Sequence, residues 1–186
     1  SGVTPPVVVA PGVDPLDKTY IDPNGVSLRV IDLQSMGGPP QAQVVTAPKP
    51  FAVTAAQVGQ VFGVALDNAS PPNVYVAATS AYGLPIVVPD KDGDGLPDRV
   101  KQGAPNAFFM SGLFGPAPGG PGSIWRIDGT SGQAQLFANV ALNGTANPGP
   151  ALGGLAFDAA SQSLFVADRA TGMIHQFGLD GTERGR

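Results

Sequence analysis

The sequence predicts an all-β chain built from repeated four-stranded antiparallel units, and three observations predict it. One motif occurs twice. Gly63-Val-Ala-Leu-Asp67 is followed by Asn73-Val-Tyr-Val-Ala77, and Gly154-Leu-Ala-Phe-Asp158 is followed at nearly the same spacing by Ser163-Leu-Phe-Val-Ala167. Composition is the second. Hydrophobic residues make up 42%, yet 26 Gly and 20 Pro fill about a quarter of the 186 positions. Short apolar strands separated by many tight turns reconcile the two figures. Third, helical periodicity is absent outside residues 52–62, where one short turn of helix is expected. Gly and Pro cost roughly 1 and 3 kcal/mol inside a helix, so a helical domain is disfavoured.

The elements follow in order. Residues 1–25 are Pro-rich and read as an extended N-terminal segment; residues 26–186 read as one β domain with an insertion at about 79–121. Ser27–Asp32 resembles Ser123–Asp128, and Gln41–Val45 resembles Gln133–Phe137, so these are expected to be the third and fourth strands of a unit. A complete unit is expected at 61–67, 73–79, 122–129 and 133–140, and three strands of another at 152–158, 163–168 and 172–180. The fourth strand of that last unit is expected to be missing, because the sequence reaches Arg186 just past an Asp-Gly turn. Four antiparallel strands in about 40–50 residues is the pattern of a propeller blade, giving a partial β-propeller-like array. A β-sandwich is the alternative. The first two strands of each unit are continuous apolar runs, as expected of sheets covered on both faces.

Charge and composition narrow the function. The net charge is −4 and no basic patch exists, which argues against a nucleic-acid partner. No apolar run reaches the length of a membrane span. Cys is absent, which removes disulfides, thiol catalysis and Cys-metal sites. Asp supplies 13 of the 14 acids, and Asp suits both turns and oxygen-only cation sites. The first residues, Ser-Gly-Val-Thr-Pro-Pro, resemble a mature terminus after cleavage or an artificial boundary, and export to the periplasm or the extracellular space is the expectation.

The sharpest motif lies in the insertion, Asp90-Lys-Asp-Gly-Asp-Gly-Leu-Pro-Asp98. Acids at positions one, three, five and nine of a loop, with Gly at six, match the first part of an EF-hand. Asp90, Asp92, Asp94 and Asp98 are the candidate Ca²⁺ ligands, with the carbonyl of Leu96 at position seven. Lys101 stands where an EF-hand has its bidentate Glu. The loop instead resembles the Asp-rich calcium loops of thrombospondin type 3-like repeats, which are extracellular. Four carboxylates so close repel one another, so the loop is expected to need a cation for order.

Beyond the loop, Ala107-Phe-Phe-Met-Ser-Gly-Leu-Phe114 is strongly apolar. Phe108, Phe109, Leu113 and Phe114 either fold back to cap the core or form an exposed partner-binding patch. His175, the only His, aligns with Trp125 of the other repeat and reads as a packing position in a strand. Asp168 aligns with Ala78 and is placed at the end of a second strand.

Leu152-Gly-Gly-Leu-Ala-Phe-Asp158, Leu164-Phe-Val-Ala-Asp168 and Ile174-His-Gln-Phe-Gly-Leu-Asp-Gly181 resemble an NHL-type propeller repeat over about 30 residues. Residues 63–78 carry the same likeness, followed by the insertion. Trp125-Arg-Ile-Asp-Gly-Thr-Ser-Gly132 is equally similar to repeats of quinone-dependent dehydrogenases. The resemblance implies architecture and little activity. With no catalytic constellation in the sequence, the expectation is an exported, non-enzymatic binding or scaffold module with a Ca²⁺-ordered loop. It would work as part of a larger assembly, with a protein partner or with copies of itself. The alternative is a metal-dependent lactonase or esterase of the gluconolactonase-type propeller class, for which Glu183 is the sole Glu available.

Overall fold

The computed structural model describes residues 23–32, 34, 48–80, 86–95, 97–100, 104–110, 112–146 and 152–186. The Pro-rich residues 1–22, the expected strand at Gln41–Val45 and the expected ligand Leu96 lie outside them.

The first elements are β1 (Val26–Arg29), β2 (Ala52–Thr54) and the single-turn helix α1 (Ala55–Val58). Next come β3 (Val61–Leu66), β4 (Val74–Ala78), β5 (Ile86–Val88), β6 (Asp98–Val100) and β7 (Phe108–Phe109). Then follow β8 (Ser123–Ile127), β9 (Ala134–Asn139), β10 (Ala141–Leu142) and β11 (Thr145–Ala146). The chain finishes with β12 (Leu152–Asp158), β13 (Ser163–Asp168), β14 (Met173–Gly178) and β15 (Glu183–Gly185).

All of the larger sheets are antiparallel, and the two four-stranded ones have the order β3-β4-β8-β9 and β12-β13-β14-β15. The fold is therefore all-β, and both repeats form complete four-stranded meanders. The first matches the expected strands element by element. The second differs at its end: Glu183–Gly185 pairs with β14, so the fourth strand is present. The Asp180-Gly181 turn (Gly181 φ 79°) reverses the chain tightly enough for three residues to suffice. At the start of the chain, β1 pairs with β2, joining residues 26–29 to residues 52–54.

Two apolar clusters explain why these runs become strands. Along β4, alternate residues point to opposite faces. Val74, Val76 and Ala78 enter a first cluster with Val53, Val58, Leu113, Phe114, Trp125 and Ile127. Tyr75 and Ala77 enter a second with Ile124, Val140, Leu152, Leu164, Val166 and Phe177. The first four-stranded sheet is thus covered on one face by β1, β2, α1 and part of the insertion, and on the other by the second sheet. That is why every residue of β4 is buried. Each fully buried aliphatic contributes roughly 1.5–3 kcal/mol of transfer free energy.

The two sheets meet most closely at β3 and β12. A Cβ added to Gly63 would fall on the carbonyl oxygen of Gly153, well inside van der Waals contact. Glycine is needed there because a neighbouring backbone occupies the side-chain position.

The apolar stretch after the Asp-rich motif folds back. Leu113 and Phe114 are core residues, and Phe109 packs edge-to-face on Phe114 with ring centroids 5.1 Å apart. Trp125 Nε1 donates a 3.0 Å hydrogen bond to the Phe114 carbonyl, fixing the return path. The exposed-patch expectation therefore fails for Leu113 and Phe114, whose burial stabilises the first cluster. Only Phe108 of the four is exposed, at 45%.

Candidate metal centre and the buried polar arrays

The insertion builds its own three-stranded sheet, in the order β6-β5-β7. The Asp-rich segment is the connection of its β5–β6 hairpin, closed by the register Val88↔Asp98. Strand pairing thus brings the two ends of the motif together although eight positions separate them. Gly93 and Gly95 have φ of 80° and 85°, a conformation that costs a residue with a Cβ roughly 1–2 kcal/mol. This turns their N–H groups inward, and both donate to the Asp90 carboxylate at 2.7 Å. Lys91 N donates to Asp98 at 2.7 Å, and Asp94 N donates to Asp92 at 3.2 Å. The bonds from Gly95 and Gly93 hold the Asp90 carboxyl below its ordinary value of 3.8.

One carboxylate oxygen each from Asp90, Asp92 and Asp98 lies within 4.8 Å of the others. Oxygens bound to one Ca²⁺ at about 2.4 Å cannot be more than about 5 Å apart, so the three fit a single ion. Asp94 is exposed and stands outside this trio. Three of the four expected acids therefore converge, and the chemistry they offer is hard-cation binding at a solvent-facing hairpin tip.

A second polar group is buried between the sheets. His175 is fully buried on the face of β14 that meets the first sheet, at the position of Trp125 in the other repeat. Its Nδ1 lies 2.7 Å from Glu183 Oε1, and its Nε2 lies 3.6 Å from Asp168 Oδ2, beyond hydrogen-bond reach. Asp168 is itself buried and caps the turn after β13, accepting from Ala170 N and Thr171 Oγ1. Sequence reasoning placed His175 in a strand but missed this array. The signal was the β14–β15 hairpin, which brings Glu183 across from Phe177 and so beside His175. Glu183, the acid that a lactonase would use on its metal, is committed to His175.

The third group lines a cavity of about 430 Å³ where β9 meets the β14–β15 turn. Asp67, Asn73, Tyr75, Arg126, Phe137 and Asp180 form part of its wall. Asp67 accepts from Ala69 N, Asn73 N, Asn73 Nδ2 and the Tyr75 hydroxyl. Burial pushes its carboxyl up, but these hydrogen bonds together outweigh burial and leave it below 3.8. Burial and the Asp67 charge raise the Tyr75 phenol above 10.0. Arg126 donates to Asn73 Oδ1 at 2.9 Å. Asp67, Asn73, Tyr75 and Arg126 are thus linked by hydrogen bonds to one another, which makes this part of the wall a brace at the end of the sheets.

No protein-family model matches the chain, and no curated protein matches it in sequence. Fold and site together define a class: an all-β protein of consecutive four-stranded meanders, with a cation-type acidic hairpin tip inserted between the second and third strands of one of them. Among the described residues no helix is long and apolar enough to cross a membrane.

Proposed function

We propose that this chain is an exported, non-enzymatic binding or scaffold module whose four-stranded units are propeller-like blades and whose inserted hairpin is ordered by Ca²⁺. The convergence of Asp90, Asp92 and Asp98 carries this reading. Their oxygens are as close as one divalent cation requires, on a loop with no polar role in either core. The ligand type is all-oxygen and the site is exposed, which suits the abundant Ca²⁺ of an extracellular setting at an affinity of about 10⁻⁴ to 10⁻³ M. The ion's role is to set the shape of the hairpin. The blades provide a rigid support, and a partner would read the surface that the ordered insertion presents, with Phe108 at its exposed side.

Isothermal titration of the chelator-treated full chain with CaCl₂ tests this. One site per chain is expected, lost in Asp90→Ala and in Asp98→Ala, with the far-ultraviolet spectrum of both variants unchanged. A chain that takes up no Ca²⁺ at millimolar concentration would overturn the calcium reading.

A further inference from the structure

We infer that the outer face of the second sheet is a docking face for β3 of a second copy of this chain, so that copies associate head to tail. The inference deepens the proposed scaffold role and rests on reading the two sheets as equivalent blades.

The two sheets share one register. Ala65 pairs with Tyr75, and Ala77 pairs with Ile124; at the same positions in the second sheet, Ala156 pairs with Phe165, and Ala167 pairs with Ile174. In the first sheet this four-residue patch is the face that receives the second sheet: Tyr75, Ala77 and Ile124 are at most 1% exposed, and Ala65 packs beside them. In the second sheet the same patch faces outward, and Ile174 is 61% exposed. The apolar surface of a built interface is therefore repeated on a face where Ala156 and Ile174 are exposed and Phe165 and Ala167 are half-buried.

The backbone repeats the same statement independently. Gly63 is glycine because the β12 backbone lies against it. Gly154 is its equivalent, and among the described residues nothing lies within 4 Å of a Cβ added there. The second sheet retains the glycine that admits a neighbouring first strand, together with the empty space beside it.

The complementary surface is on the same molecule. The strand that docks inside the chain is β12, which sends Leu155 and Phe157 into the second cluster. Their equivalents on β3 are Val64 and Leu66, which are 52% and 53% exposed, next to Phe62 at 55%. The layer of β2 and α1 covers β4 and β8 but leaves Val64 and Leu66 of β3 more than half exposed. One copy thus exposes the first-strand part of each half of an interface whose joined form is seen once within the chain, while Val74, Val76 and Ile127, the equivalents of Leu164, Val166 and Phe177, are buried in the first cluster. The match of β3 to β12 makes another copy the occupant. The contact is heterologous: it closes into a ring or runs on as a filament.

The test uses the full chain and two variants, Ile174→Lys on the outer face and Val64→Lys on β3, followed by light scattering coupled to size exclusion. The native chain is expected as a multiple of 18.7 kDa, and each variant alone as a single chain of 18.7 kDa. Mixing the two variants leaves one intact interface, so a heterodimer of twice that mass is expected. Buried Trp125 fluorescence confirms that each variant is folded; if Val64→Lys unfolds, Leu66→Lys or Phe62→Ser takes its place. A native chain that stays a single chain at all attainable concentrations overturns the inference, and assigns the face to a different partner. Variants that still assemble, or a mixture that forms no heterodimer, overturn the head-to-tail geometry. Each of these outcomes is independent of Ca²⁺ uptake, so failure here leaves the calcium titration standing.

Discussion

At the scale of single residues, the bias toward Asp has a structural cause. Asp67, Asp128, Asp158, Asp168 and Asp180 each follow or end a strand and accept the backbone N–H two residues on. Asp is short enough to make this bond, whereas Glu is one methylene too long. Hydrogen bonds hold all of Asp67, Asp128, Asp158 and Asp180 below 3.8: against its burial, bonds from Asn73 lower Asp67, and bonds from Ser131, Ser161 and Thr182 chiefly lower Asp128, Asp158 and Asp180. Depressed native values mean stability that is complete above the ordinary carboxylate value and is lost as pH falls through the native ones. Thermal melts are expected to be flat from neutral pH down to about pH 4 and to fall steeply below it, with a shallower fall in Asp67→Asn. The same scale gives a prediction for the one histidine. Glu183→Ala leaves buried His175 Nδ1 without its partner and is expected to cost about 1–3 kcal/mol in urea unfolding. Adding His175→Leu should recover part of that loss, because removing both partners is cheaper than removing one.

At the scale of elements, the repeat allows paired experiments in which the same substitution meets two environments. Ile124→Ala empties a fully buried site and is expected to cost about 2–5 kcal/mol. Ile174→Ala, in dissociated chains, should stay within about 0.5 kcal/mol of the native value. Gly63→Ala drives a methyl into the β12 backbone and is expected to cost about 1–3 kcal/mol, while Gly154→Ala meets open space. Denaturant midpoints measured at low protein concentration check all four. This was also the scale at which the sequence was most legible. The continuous apolar runs at 61–66 and 74–78 and the repeated Gly-x-Ala-x-Asp pattern identified seven of the eight strands of the two four-stranded sheets, because two-sided burial leaves so strong a mark. The short fourth strand at 183–185 was missed, since Glu-Arg-Gly has no β-forming residue and owes its pairing to the turn before it. The partner of β1 was missed for a similar reason: Ala52–Thr54 is too short to carry a period.

At the scale of the whole molecule, two cores share one sheet. The Asp-rich motif was readable because its spacing is local, and the convergence of Asp90, Asp92 and Asp98 needed only the hairpin that its own ends form. The buried His175 array and the Asp67 brace depend on which strands pair and which sheets face each other, and neither is written in local spacing. The inserted hairpin grows from the first core rather than from the second. Its anchor is the run Leu113–Phe114, held by Trp125, so Leu113→Ala is expected to cost about 2–5 kcal/mol and to weaken Ca²⁺ uptake in titration.

Trp125, the single tryptophan, carries one more consequence. Its indole N–H is bonded to the chain segment that returns from the insertion, while Tyr75 lies in the other core beside Phe137. The protein is therefore born with two optical reporters, one for each side of its shared sheet. Tryptophan emission follows the layer that carries the hairpin, and in a chain carrying Tyr20→Phe and Tyr82→Phe tyrosine absorbance follows the contact between the meanders. Recorded together during one denaturation, coincident curves would show a single cooperative unit. A tryptophan signal that changes first would show the insertion layer peeling away from a sheet pair that persists.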